Sequence, residues 1–253
     1  MENTTMENTR TKTTRNSLIL LLTAAIWGMA FVSQSKGMDY MHPFTFNGVR
    51  SLIGAASILV YILISRKIAG DKAAPLDWKL NVKAGLLCGI FLTIASTLQQ
   101  FGIKYTSVGK AGFITTLYII FVPMFGIFLK KKVAPVVWVA AVMAAVGMYL
   151  LCMTESLRLG AGDIMVFLCA IAFAIQIMTV DHYAARIDGA VVSCIQFTVC
   201  GVVCCIGALI WGQPTFGQLQ EGLGALLYAG VLSCGVGYTL QIVGQKGLNP
   251  TVA

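Results

Sequence analysis

The sequence is short of charge: only 11% of its 253 residues are Asp, Glu, Lys or Arg, where a soluble domain carries about 25%. No Asp or Glu falls in the middle of an apolar run. Asp39, Glu155 and Glu221 stand outside the runs, and Asp163, Asp181 and Asp188 mark ends or loops. Such scarcity disfavours a proton relay through a membrane carboxylate. Histidine is limited to His42 and His182, and none of the eight cysteines forms a Cys-x-x-Cys pair. Metal-site and disulfide frameworks are therefore poor readings. The cysteines (Cys88, Cys152, Cys169, Cys194, Cys200, Cys204, Cys205 and Cys234) read as small apolar packing residues. No Ser/His/Asp set and no phosphate-cradling glycine loop occurs, so the chain does not read as an enzyme and calls for no cofactor.

Hydrophobic residues are abundant, at 57%, with a mean hydropathy of +0.81. Lipid must be the solvent for most of the chain, which makes the bilayer its first partner. The net charge of +8 is no nucleic-acid footprint, because the Lys and Arg residues sit in short loops between apolar runs.

Residues 1–16 are polar and read as a cytoplasmic tail. Eight apolar runs follow: Ser17 to about Ser35, Phe44–Ser65, Ala84–Ile103, Ala111–Leu129, Val133–Thr154, Ile164–Val180, Ala190–Trp211 and Gly222–Gln245. Each falls within about 17–25 residues, enough to cross a hydrocarbon layer of about 30 Å as helix. Helix is the economical form, since lipid offers no partner to a free backbone group. With the N-terminus inside, thirteen Lys and Arg residues fall on the inner side and four (Lys36, Lys104, Lys110 and Arg158) on the outer. That asymmetry places the N-terminus in the cytoplasm. The expected location is the inner membrane of a bacterial-type cell.

One stretch occurs twice. Thr97, Leu98, Gln99, Gly102, Lys104 and Ala111 recur, at a constant offset of 142, as Thr239, Leu240, Gln241, Gly244, Lys246 and Ala253. The recurrence implies a structural unit used twice. Five runs precede a Gly-rich linker (155–162) and three follow it. An odd-numbered repeat must be inverted relative to its twin, as in alternating-access carriers. The expectation is an all-α polytopic membrane bundle of two inverted five-helix repeats. The first covers 17–154 and the second 163–253, with eight spans present of ten and the C-terminus truncated.

At this point the residues resemble a family. Ala24-Ala25-Ile26-Trp27-Gly28 with Phe31-Val32 resembles the first-helix signature of the drug/metabolite transporter superfamily, EamA type. His42-Pro43-Phe44 leading to Arg50 is similar to its second helix. Lys104-Tyr105-Thr106-Ser107 with Ala111 resembles the end of its third, Pro123 its fourth-helix proline, and Asn249-Pro250 the matching turn of the second half. Gln196 falls where that second repeat places a Gln opposite the first repeat's Arg. The chain departs from the pattern after the fourth helix, with Lys130-Lys131-Lys132 in place of a Gly-Glu pair. The resemblance implies ten helices, both termini cytoplasmic, transport of a small-molecule metabolite or drug, and room for a homodimer.

Arg50 lies about six residues, hence about 9 Å of helix rise, below the outer end of its span. A charge at that depth faces a cavity or a partner, or snorkels to headgroups. Facing a cavity, its planar fork suits a carboxylate or phosphate. Gln99, Gln100, Gln176, Gln196 and Gln241 line a pathway on the functional reading, or bond helix to helix on the plainer one. Trp27, Tyr118 and Tyr238 are candidate walls. The substrate-binding candidates are thus Arg50, Trp27, Gln99, Gln100, Tyr118, Gln176, Gln196, Tyr238 and Gln241. The function expected is a secondary permease working by alternating access. The alternatives are a non-transporting membrane scaffold and an inactive transporter fragment.

Overall fold

The computed structural model describes residues 2–70, 75–128, 135–152 and 160–245. Among these the regular structure is all helix: α1 (Glu2–Gly37), α2 (Pro43–Ala69), α3 (Trp78–Tyr105), α4 (Val108–Thr116), α5 (Tyr118–Phe128), α6 (Pro135–Cys152), α7 (Ala161–Tyr183) and α8 (Gly189–Gly207). The π-helical turn Ala208–Gly212 extends α8. After α9 (Phe216–Glu221) comes one composite span: α10 (Leu223–Leu227), a π-helical stretch Tyr228–Gly237, and α11 (Tyr238–Gln245).

Local chemistry sets the helix starts. Pro43 opens α2, where its missing N–H costs nothing. His42 Nδ1 accepts from Phe44 N at 3.4 Å. Asp77 caps α3 through Leu80 N at 3.0 Å, and Ser107 caps α4 through Lys110 N at 3.2 Å. Asp188 caps α8 through the N–H groups of Ala190 and Val191. These side chains satisfy donors that a helix start otherwise leaves open.

Among the described residues, seven helical stretches are long and apolar enough to cross a membrane, from 19 to 28 residues. The expected fifth span corresponds to α6, described over Pro135–Cys152; its remaining residues lie outside the described ones, as do Lys130–Lys132 and the second copy of the repeated stretch from Lys246 onward. Two boundaries differ from expectation. The polar N-terminal segment is helical from Glu2 and continuous with the first span. The fourth span breaks at Leu117 into α4 and α5. There Thr116 Oγ1 bonds back to the carbonyls of Gly112 (2.8 Å) and Phe113 (2.9 Å), a competition that bends helices. Pro123 then withholds a donor from the turn below.

Packing directions reveal how the halves relate. α2 and α8 run antiparallel: Phe44 meets Gly207, Gly48 meets Cys205, Leu52 meets Gly201, and Ala55 O accepts from Cys194. α3 and α7 are antiparallel through Gly102 and Gly162. α1 is antiparallel to the composite span, with Leu20 at Gly244, Trp27 at Gly237, and Ser33 Oγ donating to Ala225 O. By contrast α3 runs parallel to α8, with Gly85 at Ile195 and Gly89 at Val199, and α2 runs parallel to the composite span, with Ile53 at Gly230 and Ser57 at Gly235. Thus α7, α8 and the composite span run opposite to α1, α2 and α3 respectively. The second half is inverted relative to the first.

The interior is polar in places and the outside apolar. Leu21, Met29, Leu63 and Ile64 are exposed, whereas Asn47, Arg50, Gln100, Gln176 and Gln196 are buried. That is the distribution expected when the surroundings are hydrocarbon. The helices approach closely where glycines meet. A Cβ on Gly102 would stand 2.9 Å from Gly162 O, and one on Gly162 would stand 2.8 Å from Gly102 O. Polar clusters join the halves at both ends of the bundle. At one end Asp163 accepts from Gly160 N (2.9 Å) and from the Thr106 hydroxyl, with Lys110 Nζ at 3.8 Å. At the other, Arg66 stands 3.8 Å from Asp188, whose N–H donates to Asn81 Oδ1 at 2.9 Å.

Candidate functional site

α2 presents Asn47, Arg50 and Ser51 on one face, a helical spacing of three and four. Arg50 is only 5% exposed. Its Nε donates to Asn47 Oδ1 at 3.0 Å, and its guanidinium lies 5.7 Å from the centre of the Phe46 ring. Asn47 uses its amide on Ser96 Oγ at 3.0 Å and Cys204 Sγ at 3.2 Å. Ser51 Oγ donates to Cys200 Sγ at 3.5 Å, while Ser96 Oγ stands 3.3 Å from the same sulfur and Thr97 Oγ1 3.5 Å from Cys204 Sγ. A polar knot of α2, α3 and α8 side chains thereby holds the Arg50 stem.

The far end of the guanidinium is different. Among the described residues its two terminal nitrogens have no hydrogen-bond acceptor and no ion pair. Around the stem stand the sulfurs of Cys200 and Cys204, which Ser51 and Asn47 bond, and Cys234 belongs to the same buried cluster.

Tyr238 stands where the π-helical stretch returns to α-helix. Its ring is packed between Trp27, at 4.9 Å, and Phe197, at 4.7 Å and edge-on. Trp27 Nε1 donates to Ser233 O at 3.4 Å, tying α1 to that stretch. Tyr238 is half-buried and its hydroxyl has no hydrogen-bond partner among the described residues. Tyr238 and Phe197 thus pack on the same buried cluster of Cys200, Cys204 and Cys234 that borders the Arg50 knot, and Trp27 packs on Tyr238.

The other candidates lie elsewhere. Gln176 Nε2 donates to Gln196 Oε1 at 3.1 Å, joining α7 to α8, and Gln196 Nε2 is buried without a partner. Gln99 Nε2 reaches Thr115 Oγ1 at 3.3 Å on α4. Gln100 Nε2 reaches Gln34 O at 3.2 Å on α1, with its own Oε1 unpartnered. Gln241 is buried on α11, which packs against α1. Tyr118 packs with Val122, Ala174 and Met178 between α5 and α7. A separate groove of about 400 Å³ between α4, α5 and α6 is lined by apolar groups such as Phe113, Leu117, Ile120 and Ala145.

Sequence reasoning missed Asn47, Ser51, Ser96, Cys200, Cys204 and Phe197. The signal was thin: Asn47 stands three before Arg50, and Cys200 and Cys204 are four apart. Cysteine on an apolar helix reads as packing, and its role as an acceptor emerges only when a neighbouring helix supplies the donor.

An all-helical bundle with an inverted second half and a buried polar centre is the construction of a polytopic membrane transporter. The chain belongs to the EamA-like transporter family, whose model matches residues 15–153 and again 160–253. It is 31% identical over 166 residues to an uncharacterized transporter of Archaeoglobus fulgidus, a match covering 65% of this chain and 48% of that protein. The chain thus matches about half the length of the archaeal relative. It is 26% identical to the uncharacterized transporter YwfM of Bacillus subtilis, across 94% of this chain and 79% of that protein. A solved crystal structure shares the fold, with a TM-score of 0.71 at 17% identity over 92% of this chain and 79% of that one.

Proposed function

We propose that the protein is a secondary carrier of a small organic solute, working by alternating access around the Arg50–Tyr238 site. The observation that carries this reading is the origin of the site. Arg50 comes from the first half and Tyr238 from the inverted second half. Tyr238 and Phe197 pack on the buried cluster of Cys200, Cys204 and Cys234, where Asn47 and Ser51 beside Arg50 bond the sulfurs, and Trp27 and Phe197 supply one wall from each half. A site on the boundary between inverted halves is exposed to one side and then the other when the halves rock. The clusters around Asp163 and Asp188 bridge the halves at opposite ends, and releasing one while keeping the other would open one end at a time. Solute biases this equilibrium only by binding the two arrangements unequally. The repeats run over 17–154 and 163–253 in this reading, with the N-terminus cytoplasmic. Gln176 and Gln196 lie beside the path, while Gln99, Gln100, Tyr118 and Gln241 shape the helices around it.

The test is solute counterflow into vesicles containing the purified protein. Accumulation of a labelled solute that Arg50→Gln or Tyr238→Ala reduces supports the carrier. A protein that binds solute but gives no flux above protein-free vesicles would be a scaffold or receptor instead.

A further inference from the structure

We infer that the solute is a small monocarboxylate without an amino group, its carboxylate seated on the terminal nitrogens of Arg50 and its apolar body against Trp27, Tyr238 and Phe197. This rests on the carrier reading of the same site. The starting point is a cation that is 5% exposed and has no anionic partner among the described residues. α2, α3, α8 and the composite span, which surround it, contain no Asp or Glu. The carboxylates of α7, Asp163 and Asp181, stand at its ends, and Asp163 is already held by Gly160, Thr106 and Lys110. A guanidinium removed from water and left uncompensated is strongly unfavourable, so the site is completed by an anion from solution.

Geometry selects the kind of anion. Asn47 fixes Nε and leaves the pair of terminal nitrogens free, the side of the fork that matches a carboxylate with two parallel hydrogen bonds. The Tyr238 hydroxyl, which has no hydrogen-bond partner among the described residues, adds a neutral donor. One cation balances one negative charge. A phosphate monoester would need a second, yet Lys104 stands in the last turn of α3 and Lys110 faces Asp163. No described carboxylate stands ready to receive an ammonium, which argues against amino acids. The three rings, tilted and edge-on to one another, supply an apolar wall suited to a compact hydrocarbon body.

The experiment is ligand-induced thermal stabilisation of the purified full chain in detergent, with probes that share a body and differ in the head group. Benzoate, phenylacetate and hydrocinnamate are the acids. Phenylacetamide is the neutral control, phenethylamine the cation, phenylalanine the zwitterion and phenyl phosphate the dianion. At least one acid raises the melting temperature at millimolar concentration, and the amide and the amine do not. Arg50→Gln weakens the acid's apparent affinity roughly ten- to a hundredfold, with helix content and monodispersity retained, and Arg50→Lys is intermediate. The inference is overturned if the amide matches the acid, if phenyl phosphate or phenylalanine outperforms every acid, if Arg50→Gln responds like the unaltered chain, or if no acid acts. Should Arg50→Gln fail to fold, the acid–amide comparison on the unaltered chain decides. Vesicle flux separates the two readings. Acid binding without flux removes the carrier and keeps the carboxylate site, whereas flux of a neutral solute untouched by Arg50→Gln removes the carboxylate site and keeps the carrier.

Discussion

Gln176 and Gln196 are bound to each other in the interior, the amide of one donating to the carbonyl of the other at 3.1 Å, with exposures of 2% and 0%. The pair links α7 to α8 within the second half. Gln196 keeps a buried N–H that has no partner, so its satisfaction depends on this bond.

Gln176→Leu alone is therefore expected to destabilise the protein by about 1–3 kcal/mol, since it strands the second polar atom of a buried amide. The double variant Gln176→Leu/Gln196→Leu removes both partners and costs clearly less than the two single variants added together. Unfolding of the four proteins in detergent checks this as a double-mutant cycle. Additive effects would show that the two amides are not coupled.

Close packing of α2 on the composite span makes a second prediction. A Cβ on Gly54 would lie 2.5 Å from the Cys234 Cβ and 3.1 Å from Gly230 O. Gly54→Ala is expected to cost about 1–3 kcal/mol through overpacking. Because the conflict is with a Cβ, adding Cys234→Ala gives no relief while adding Cys234→Gly does. Melting temperatures of these variants decide it, and equal recovery by both second changes would refute the contact.

The third prediction concerns pH. Partial burial, and then the nearby Lys104 charge, hold the His42 pKa below its usual 6.5. The neutral ring also accepts the Phe44 N–H that starts α2. A group whose protonation is disfavoured by folding contributes stability above its unfolded pKa, and that contribution is lost as pH falls through the lower folded value. Melting temperature should then drop between about pH 7 and about pH 5, more steeply than in His42→Ser, whose cap does not titrate. Parallel profiles would remove His42 from the pH response.

Much of the bundle was legible because hydropathy and length report directly on a hydrocarbon environment: the span ends at Tyr105, Tyr183 and Gly212 fall close to the ends of the apolar runs. The inversion followed from the odd number of runs before the linker, and helix directions bear it out. Arg50 stood out since a charge in such a run has few explanations. What stayed hidden depends on partners from other helices. Asn47 is one polar residue in a long apolar segment until Arg50 Nε, Ser96 and Cys204 are placed around it. Tyr118 and Tyr238 looked alike as aromatics in spans, yet one packs against α7 and the other lies between Trp27 and Phe197. The π-helical stretch is a backbone event with no residue pattern that announces it, and Thr116 and Pro123 hint at a bend in the fourth span without fixing its place at Leu117.

That stretch has a consequence for the symmetry of the machine. Tyr228–Gly237 corresponds, at the offset of 142, to Leu86–Ala95, which is regular α-helix in α3. A π turn holds one residue more than an α turn, so the two copies reach their shared Thr-Leu-Gln sequence by different winding. Their glutamines accordingly keep different company: Gln99 bonds Thr115 across to α4, while Gln241 is buried on α11, which packs mainly on α1. The halves share this short stretch but are unequal as springs. For a carrier, the two resting poses are then not mirror images and do not have the same free energy. Such a bias cannot create a gradient, but it decides on which side of the membrane the empty protein waits.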